Sequence, residues 1–141
     1  MEAIGKAFLT WKRYAQREIH PYGITLKQFE ILRQLKRRGG LYPAEIAEIL
    51  FCDRPTVTVV IKNLERKRWV KRELVQSDFR RFKVTLRPEG EAKLKEILWD
   101  QPDYKKKRFR PTSCFTKEEG IKFKELLDKL NEHLKKIKDD V

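Results

Sequence analysis

The chain is poor in several things that mark large functional classes. It has two cysteines in 141 residues, Cys52 and Cys114, and no C-x-x-C pair. A disulfide framework and a zinc ribbon are therefore excluded, and a reduced, intracellular setting is expected. The two histidines, His20 and His133, stand at no ligand spacing from each other or from the cysteines, so no metal or other cofactor is expected. No apolar run approaches the ~18 residues of a membrane span. The first residues, MEAIGKAFLTWKRY, mix apolar and charged positions, and a soluble, cytoplasmic, non-secreted protein is expected. The sequence holds no glycine-rich phosphate loop, nucleophile elbow, His-based triad or plausibly placed pair of carboxylates, which argues against an enzyme. Only two asparagines stand among 34 basic and 21 acidic residues, a balance resembling that of heat-adapted proteins.

Positive charge is abundant. The formal net charge is +13, with a pI near 9.9, and a polyanionic partner is the natural reading. Location matters more than the total. Residues 53 to 87 carry eleven Lys or Arg against four acids, Asp53, Glu65, Glu73 and Asp78, a net of +7. A quarter of the chain thus holds half the charge. At this length one domain of ordinary size is expected, with a core but no room for a second.

Residues 3 to 19 read as an amphipathic helix, with Ile4, Phe8, Trp11, Ala15 and Ile19 at helical spacing, ended by His20-Pro21. A second helix opens on Thr25 as N-cap, with Gln28 as capping-box partner and Ile24 against Phe29 as a hydrophobic staple; Gly39-Gly40 stop it. Leu41-Tyr42 suffice for a minimal strand. Pro43 opens a short helix with Ile46, Ile49 and Leu50 inward, and Asp53 caps the next, where Pro55 is tolerated in the first turn.

In that next helix the local signals conflict. Thr56 to Ile61 are all β-branched, which by propensity alone is a strand. The helical spacing of Val57, Val60, Ile61 and Leu64, the Asp53 cap and the helix-forming KNLERK that follows favour a helix. Trp69 to Val75 and Phe82 to Leu86 then alternate as two strands around a polar tip, Gln76 to Arg81, which lacks the Asn-Gly of a tight turn and reads as a longer, mobile loop. A further helix runs from Glu89 through Leu94, Ile97 and Leu98, Pro102 interrupts it, and YKKKRFRP is a basic connection. The last helix has its own capping box, Thr116 with Glu119. Its Phe123, Leu127, Leu130, Leu134 and Ile137 form a narrow seam that asks for a partner helix. Packing within the monomer would satisfy it. A homodimer interface shared with Ile4, Phe8 and Trp11 of the first helix is favoured, because terminal helices around a compact core have little else to bury against.

The fold class is therefore mostly α with a small β-hairpin wing: a winged helix-turn-helix flanked by N- and C-terminal helices. Such a lobe reads double-stranded DNA. The outward positions in the N-terminal half of its recognition helix are Arg54, Pro55, Thr56, Thr58, Val59 and Lys62. Arg54 suits bidentate pairing with guanine, the threonines suit bases or phosphates, and Val59 suits a thymine methyl. Each also has a plain structural role open to it, Thr56 in the first helical turn, Val59 against the core and Lys62 in solvent. At the wing tip Arg80 and Arg81 are placed for the minor groove, with Asp78 near enough to orient one by a salt bridge. The two cysteines read as small buried hydrophobes rather than redox centres.

YGITLKQFEILRQL, PAEIAEILFCDRPTVTVVIKNLERKRWVKRE, the D-x-R-R wing leading to VTLRPEG, and FTKEEGIKFKELLDKL together resemble the multiple-antibiotic-resistance regulator (MarR) family from about residue 20 to 137. The resemblance implies a homodimer, with a DNA-binding lobe over residues 24–87 and dimerisation helices over 1–22 and 88–141. It further implies repression at a palindromic operator, with release by a small phenolic or other anionic effector held between the dimer helices and the DNA lobe. Trp11, Tyr14 and Tyr22 are the candidates for that pocket. Asp53 to Thr58 match the start of the family's recognition helix, and Arg80 or Arg81 its wing arginine. Four positions depart: Arg68 stands for the usual glycine before the second strand, Arg87 for a capping threonine, Val59 for a basic or polar residue, and Phe79 for an acidic wing residue. The reactive cysteine that the family's peroxide-sensing branch carries near its first helix has no counterpart. The alternative function is a non-specific or architectural double-stranded DNA binder without an effector, which the charge and the basic 105 to 110 segment support equally.

Overall fold

The computed structural model describes residues 1–99 and 111–139, with compact units at Met1–Pro102 and Asp103–Val141. The expectations for Pro102 and the basic 105 to 110 segment lie outside the described residues. Six α-helices and one two-stranded antiparallel hairpin make up the regular structure among them.

In the first unit, α1 (Glu2–Ile19) buries Ala15 and Ile19 but leaves Ile4 46% and Phe8 53% exposed. A 3-10 turn at His20–Tyr22 follows. Helix α2 (Leu26–Arg38) begins with the full capping box: the Gln28 N–H donates to Thr25 Oγ1 at 3.2 Å and the Thr25 N–H donates to Gln28 Oε1 at 3.1 Å. Ile24 and Phe29 are both buried beside it. Gly39, at φ +81°, closes the helix by donating to the Leu35 carbonyl, a backbone geometry that favours glycine. Leu41 then forms a one-residue bridge to Val84.

Helices α3 (Pro43–Leu50) and α4 (Arg54–Arg66) make the helix-turn-helix. Tertiary burial settles the conflict in α4. Val57, Ile61 and Leu64 lie on one face and are almost wholly buried, so the hydrophobic gain of one continuous stripe outweighs the few tenths of a kcal/mol per residue by which β-branching disfavours a helix. Both helices end in the same way. The Cys52 N–H donates to Ala47 O and the Phe51 N–H to Glu48 O; likewise Trp69 donates to Leu64 O and Arg68 to Glu65 O. These are paired Schellman closures, and their left-handed residues are Phe51 (φ +51°) and Arg68 (φ +59°) instead of glycine. An L side chain in that region costs about 1–2 kcal/mol. Arg68→Gly is therefore expected to stabilise the protein by about 1 kcal/mol once glycine's larger unfolded entropy is deducted, read as a higher denaturation midpoint; an unchanged or lower midpoint would contradict it.

The hairpin differs from expectation. Strands β1 (Val70–Val75) and β2 (Asp78–Leu86) are joined by a two-residue turn at Gln76 and Ser77, where a longer loop over 76–81 was expected. The register explains the discrepancy: Leu74 faces Phe82 while Val75 faces Asp78, so Phe79, Arg80 and Arg81 bulge out of the ladder. The bulge replaces the special turn chemistry that a tight hairpin otherwise needs. Helix α5 (Pro88–Trp99) completes the unit, with Glu91 paired to Lys36 of α2. That contact holds the Glu91 carboxyl below its ordinary range. The core joins Ile31, Leu32, Leu35, Leu41, Ile46, Val57, Ile61, Leu64, Val70, Val84, Leu94 and Ile97.

In the second unit α6 (Lys117–Asp139) starts on the expected box, the Glu119 N–H donating to Thr116 Oγ1 and the Thr116 N–H to Glu119 Oε2. Along its seam Leu127 and Leu130 are half-buried, whereas Phe123, Leu134 and Ile137 are exposed. Cys114 corrects the sequence reading, being exposed in the turn before α6; Cys52 is half-buried. Among the described residues no helix is long and apolar enough to cross a membrane, and no His, Cys, Asp and Glu cluster is placed to hold a metal.

Candidate nucleic-acid interface

Helix α4 presents two faces with different work. Its buried stripe fixes it in the lobe, and the opposite face exposes Arg54, Pro55, Thr58, Val59 and Lys62. Of the six positions expected to face DNA, only Thr56 is half-buried, in keeping with its alternative role in the first turn. Asp53 caps the helix, accepting the Thr56 N–H at 2.8 Å. Hydrogen bonds from Thr56, side chain first and backbone second, hold the Asp53 carboxyl below its ordinary value. The Thr58 hydroxyl donates to the Arg54 carbonyl at 3.1 Å, so its proton is committed and only its oxygen lone pairs and methyl face outward. The first-turn amides and the positive end of the helix dipole lie at the same end as Arg54, which favours a negatively charged neighbour there.

The wing arginines are not equivalent. Arg81 stacks over the Tyr42 ring at 4.4 Å to its centroid, and Lys83 lies over the same ring at 5.0 Å. Arg80 is exposed, and its backbone N–H donates to Asp78 Oδ1 at 3.0 Å. Asp78 therefore shapes the wing backbone in place of the salt bridge expected from the sequence; among the described residues it forms none with either arginine. Phe79 is 75% exposed beside them. Below the wing, Arg72 ties β1 to α4 through Glu65 at 2.7 Å and covers the Phe82 ring.

Sequence reasoning missed a second cluster. At the C-terminal end of α4, Lys67 lies 4.5 Å over the Trp69 ring and donates to the Gly23 carbonyl at 2.7 Å and to Gln28 Oε1 at 3.4 Å. Lys93 of α5 donates to the Tyr22 carbonyl at 3.2 Å and pairs with Glu96 at 2.8 Å. Burial, and the nearby Lys93 charge, lower the Lys67 pKa. Lys67 thus fastens the exit of α1 to the end of α4, and Lys93 fastens it to α5, links between residues 44 and 71 positions apart that no local pattern announces. Of the pocket candidates, Trp11 has a buried Nε1 with no acceptor among the described residues, and Tyr14 is 43% exposed.

The sequence from Tyr22 to Arg81, which spans the helix-turn-helix and the wing tip, matches the model of the MarR family. This segment is therefore similar to the MarR family. PecS of Dickeya dadantii, an HTH-type transcriptional regulator, is 28% identical over 116 residues, covering 80% of this chain and 68% of PecS. Among solved structures, a mutant of MarR from E. coli complexed with operator DNA superposes with a TM-score of 0.78 at 23% identity, over 92% of this chain and 91% of that one. BpsR of Bordetella bronchiseptica, whose DNA binding is regulated by 6-hydroxynicotinic acid, superposes at 0.76 with 22% identity, over 92% and 96%. These likenesses give the winged-helix fold. The four departures from the family pattern now have places in the structure. Arg68 occupies a left-handed closure, Val59 is exposed on α4, Phe79 lies in the wing bulge, and the Arg87 N–H donates to the Trp69 carbonyl at 2.9 Å just ahead of α5.

Proposed function

We propose that this chain is a MarR-family, DNA-binding transcriptional regulator, a cytoplasmic homodimer that represses transcription at a two-fold operator by placing α4 in the major groove and the wing in the adjacent minor groove. The observation that carries this reading is the division of α4: its buried apolar stripe lies on one face, leaving Arg54, Pro55, Thr58, Val59 and Lys62 exposed on the other. Residues 24–87 form the DNA-binding lobe, and residues 1–22 and 88–141 supply the dimer contacts. The apolar residues left exposed in the single chain, Ile4 and Phe8 of α1 and Phe123, Leu134 and Ile137 of α6, support that assignment. The orphaned Trp11 Nε1 supports an anionic or phenolic effector near Trp11, Tyr14 and Tyr22, since a buried donor without an acceptor favours a ligand that accepts.

Selection of bound sequences from a random DNA pool at near-physiological salt tests the proposal. A two-fold symmetric motif, with half-sites about one helical turn apart or a multiple of that, is expected. Salt-sensitive binding with no enriched motif would instead establish the architectural alternative. Within the selected operator, Arg54→Ala is expected to weaken binding roughly ten- to hundredfold and to relax preference at one position per half-site. Equal loss on every DNA would show that Arg54 holds only phosphate.

A further inference from the structure

We infer that Tyr42 is a specificity-determining positioning residue: its ring holds Arg81 as a stay, which sets the wing so that Arg80 is the arginine that enters the minor groove. The inference rests on the DNA-binding reading above and assigns the two adjacent arginines different tasks. Tyr42 belongs neither to the recognition helix nor to the wing, and it is fixed from both sides along the chain. Immediately before it, Leu41 exchanges both backbone hydrogen bonds with Val84 of β2, at 3.0 and 2.8 Å. The Tyr42 N–H donates to Glu45 Oε2 at 2.7 Å, so the start of α3 holds its backbone. The ring therefore stands beside β2 at a set height.

Residues 81 and 83 are two apart on β2 and so share a face of the strand. Both bring a cation to that one ring, Arg81 at 4.4 Å and Lys83 at 5.0 Å. A guanidinium stacked on an aromatic face loses much of its freedom and its reach. Arg80 has the opposite circumstances. Its backbone is pinned by Asp78 at 3.0 Å, and its exposed side chain has no partner among the described residues. The bulge at Phe79, Arg80 and Arg81 breaks the ladder at this point, so without a side bond the wing beyond Phe82 would be guided only by the Val75 and Asp78 pairing. Stacking on Tyr42 supplies that bond before DNA arrives, and a pre-set wing loses less conformational freedom on docking.

The test measures an affinity ratio, which cancels the uniform electrostatic effect of removing a charge. Operators identical in their major-groove half-sites carry either A-tract or G·C-rich flanks, because the narrow minor groove of an A-tract attracts an inserted arginine. The unaltered protein is expected to prefer the A-tract flanks, and Arg80→Gln to abolish that preference. Tyr42→Leu should reduce the ratio roughly three- to tenfold. Arg81→Gln should reduce it by a similar factor, and the double variant no further, because both changes remove the same contact. Tyr42→Phe, which keeps the ring, should behave as the unaltered protein. A ratio untouched by Tyr42→Leu, additive losses in the double variant, or a flat ratio in the unaltered protein bound to its operator would each overturn the inference alone. Failure of the unaltered protein to bind any DNA would remove the reading beneath it.

Discussion

Gly90→Ala is expected to lower the stability of the protein by about 3 kcal/mol, at the upper end of what overpacking a core costs. The sign runs against helix propensity. Gly90 lies in the first turn of α5, where alanine in an open helix would be better by about 1 kcal/mol. Here a β-carbon would stand 2.2 Å from the Trp69 carbonyl oxygen and 2.8 Å from Leu86 Cδ1. The Leu86 methyl can turn aside, but the carbonyl cannot do so cheaply, because it accepts the Arg87 N–H at 2.9 Å. Either α5 moves away from the start of β1 or that hydrogen bond is lost. Equilibrium denaturation of both proteins decides the matter: a variant more stable than its parent would mean that α5 is not held this close.

The second large effect concerns the seam of α6. Leu130→Glu combined with Leu134→Glu is expected to convert the proposed dimer into a monomer and to weaken operator binding by at least about a hundredfold, since two linked lobes gain roughly 10²–10⁴ in avidity over one. The variant should still fold. Among the described residues the fully buried apolar side chains all lie between Ala15 and Ile97, so the winged-helix core is complete without α6. Light scattering after size exclusion gives the mass, and circular dichroism checks that helices remain. A dimer of unchanged mass and affinity would place the interface elsewhere.

Signals that act over three or four residues were legible in the sequence. Thr25 with Gln28, Thr116 with Glu119, and Asp53 with Thr56 are all bonded as their spacing indicated, because a capping side chain reaches only its own first turn. The buried stripe of α4 was legible against its own propensity, since Val57, Ile61 and Leu64 repeat at helical spacing. Matters settled by distant residues were not. The Tyr42 and Arg81 stack joins elements 39 positions apart in sequence, and Lys67 finds its acceptors at Gly23 and Gln28. The wing bulge was hidden because its turn, Gln76-Ser77, has no characteristic dipeptide. Phe51 and Arg68 were hidden for the opposite reason: local rules place glycine in a left-handed closure, and these side chains occupy it nonetheless.

One feature of β2 bears on how the protein would search a duplex. Val84 is flanked on both sides, by Arg72 across the hairpin and by Leu41 on the other edge, whereas the strand beyond it towards Asp78 has β1 alone for company. Mechanically the hairpin is a cantilever clamped at Val84, and deflection of a cantilever grows steeply with its free length. The contact between Arg81 and Tyr42 acts as a second support a short way out from the clamp. What projects beyond it is a short stub carrying Phe79 and Arg80, and on the proposed reading a short free span bends less to fit the groove it meets than a longer one would.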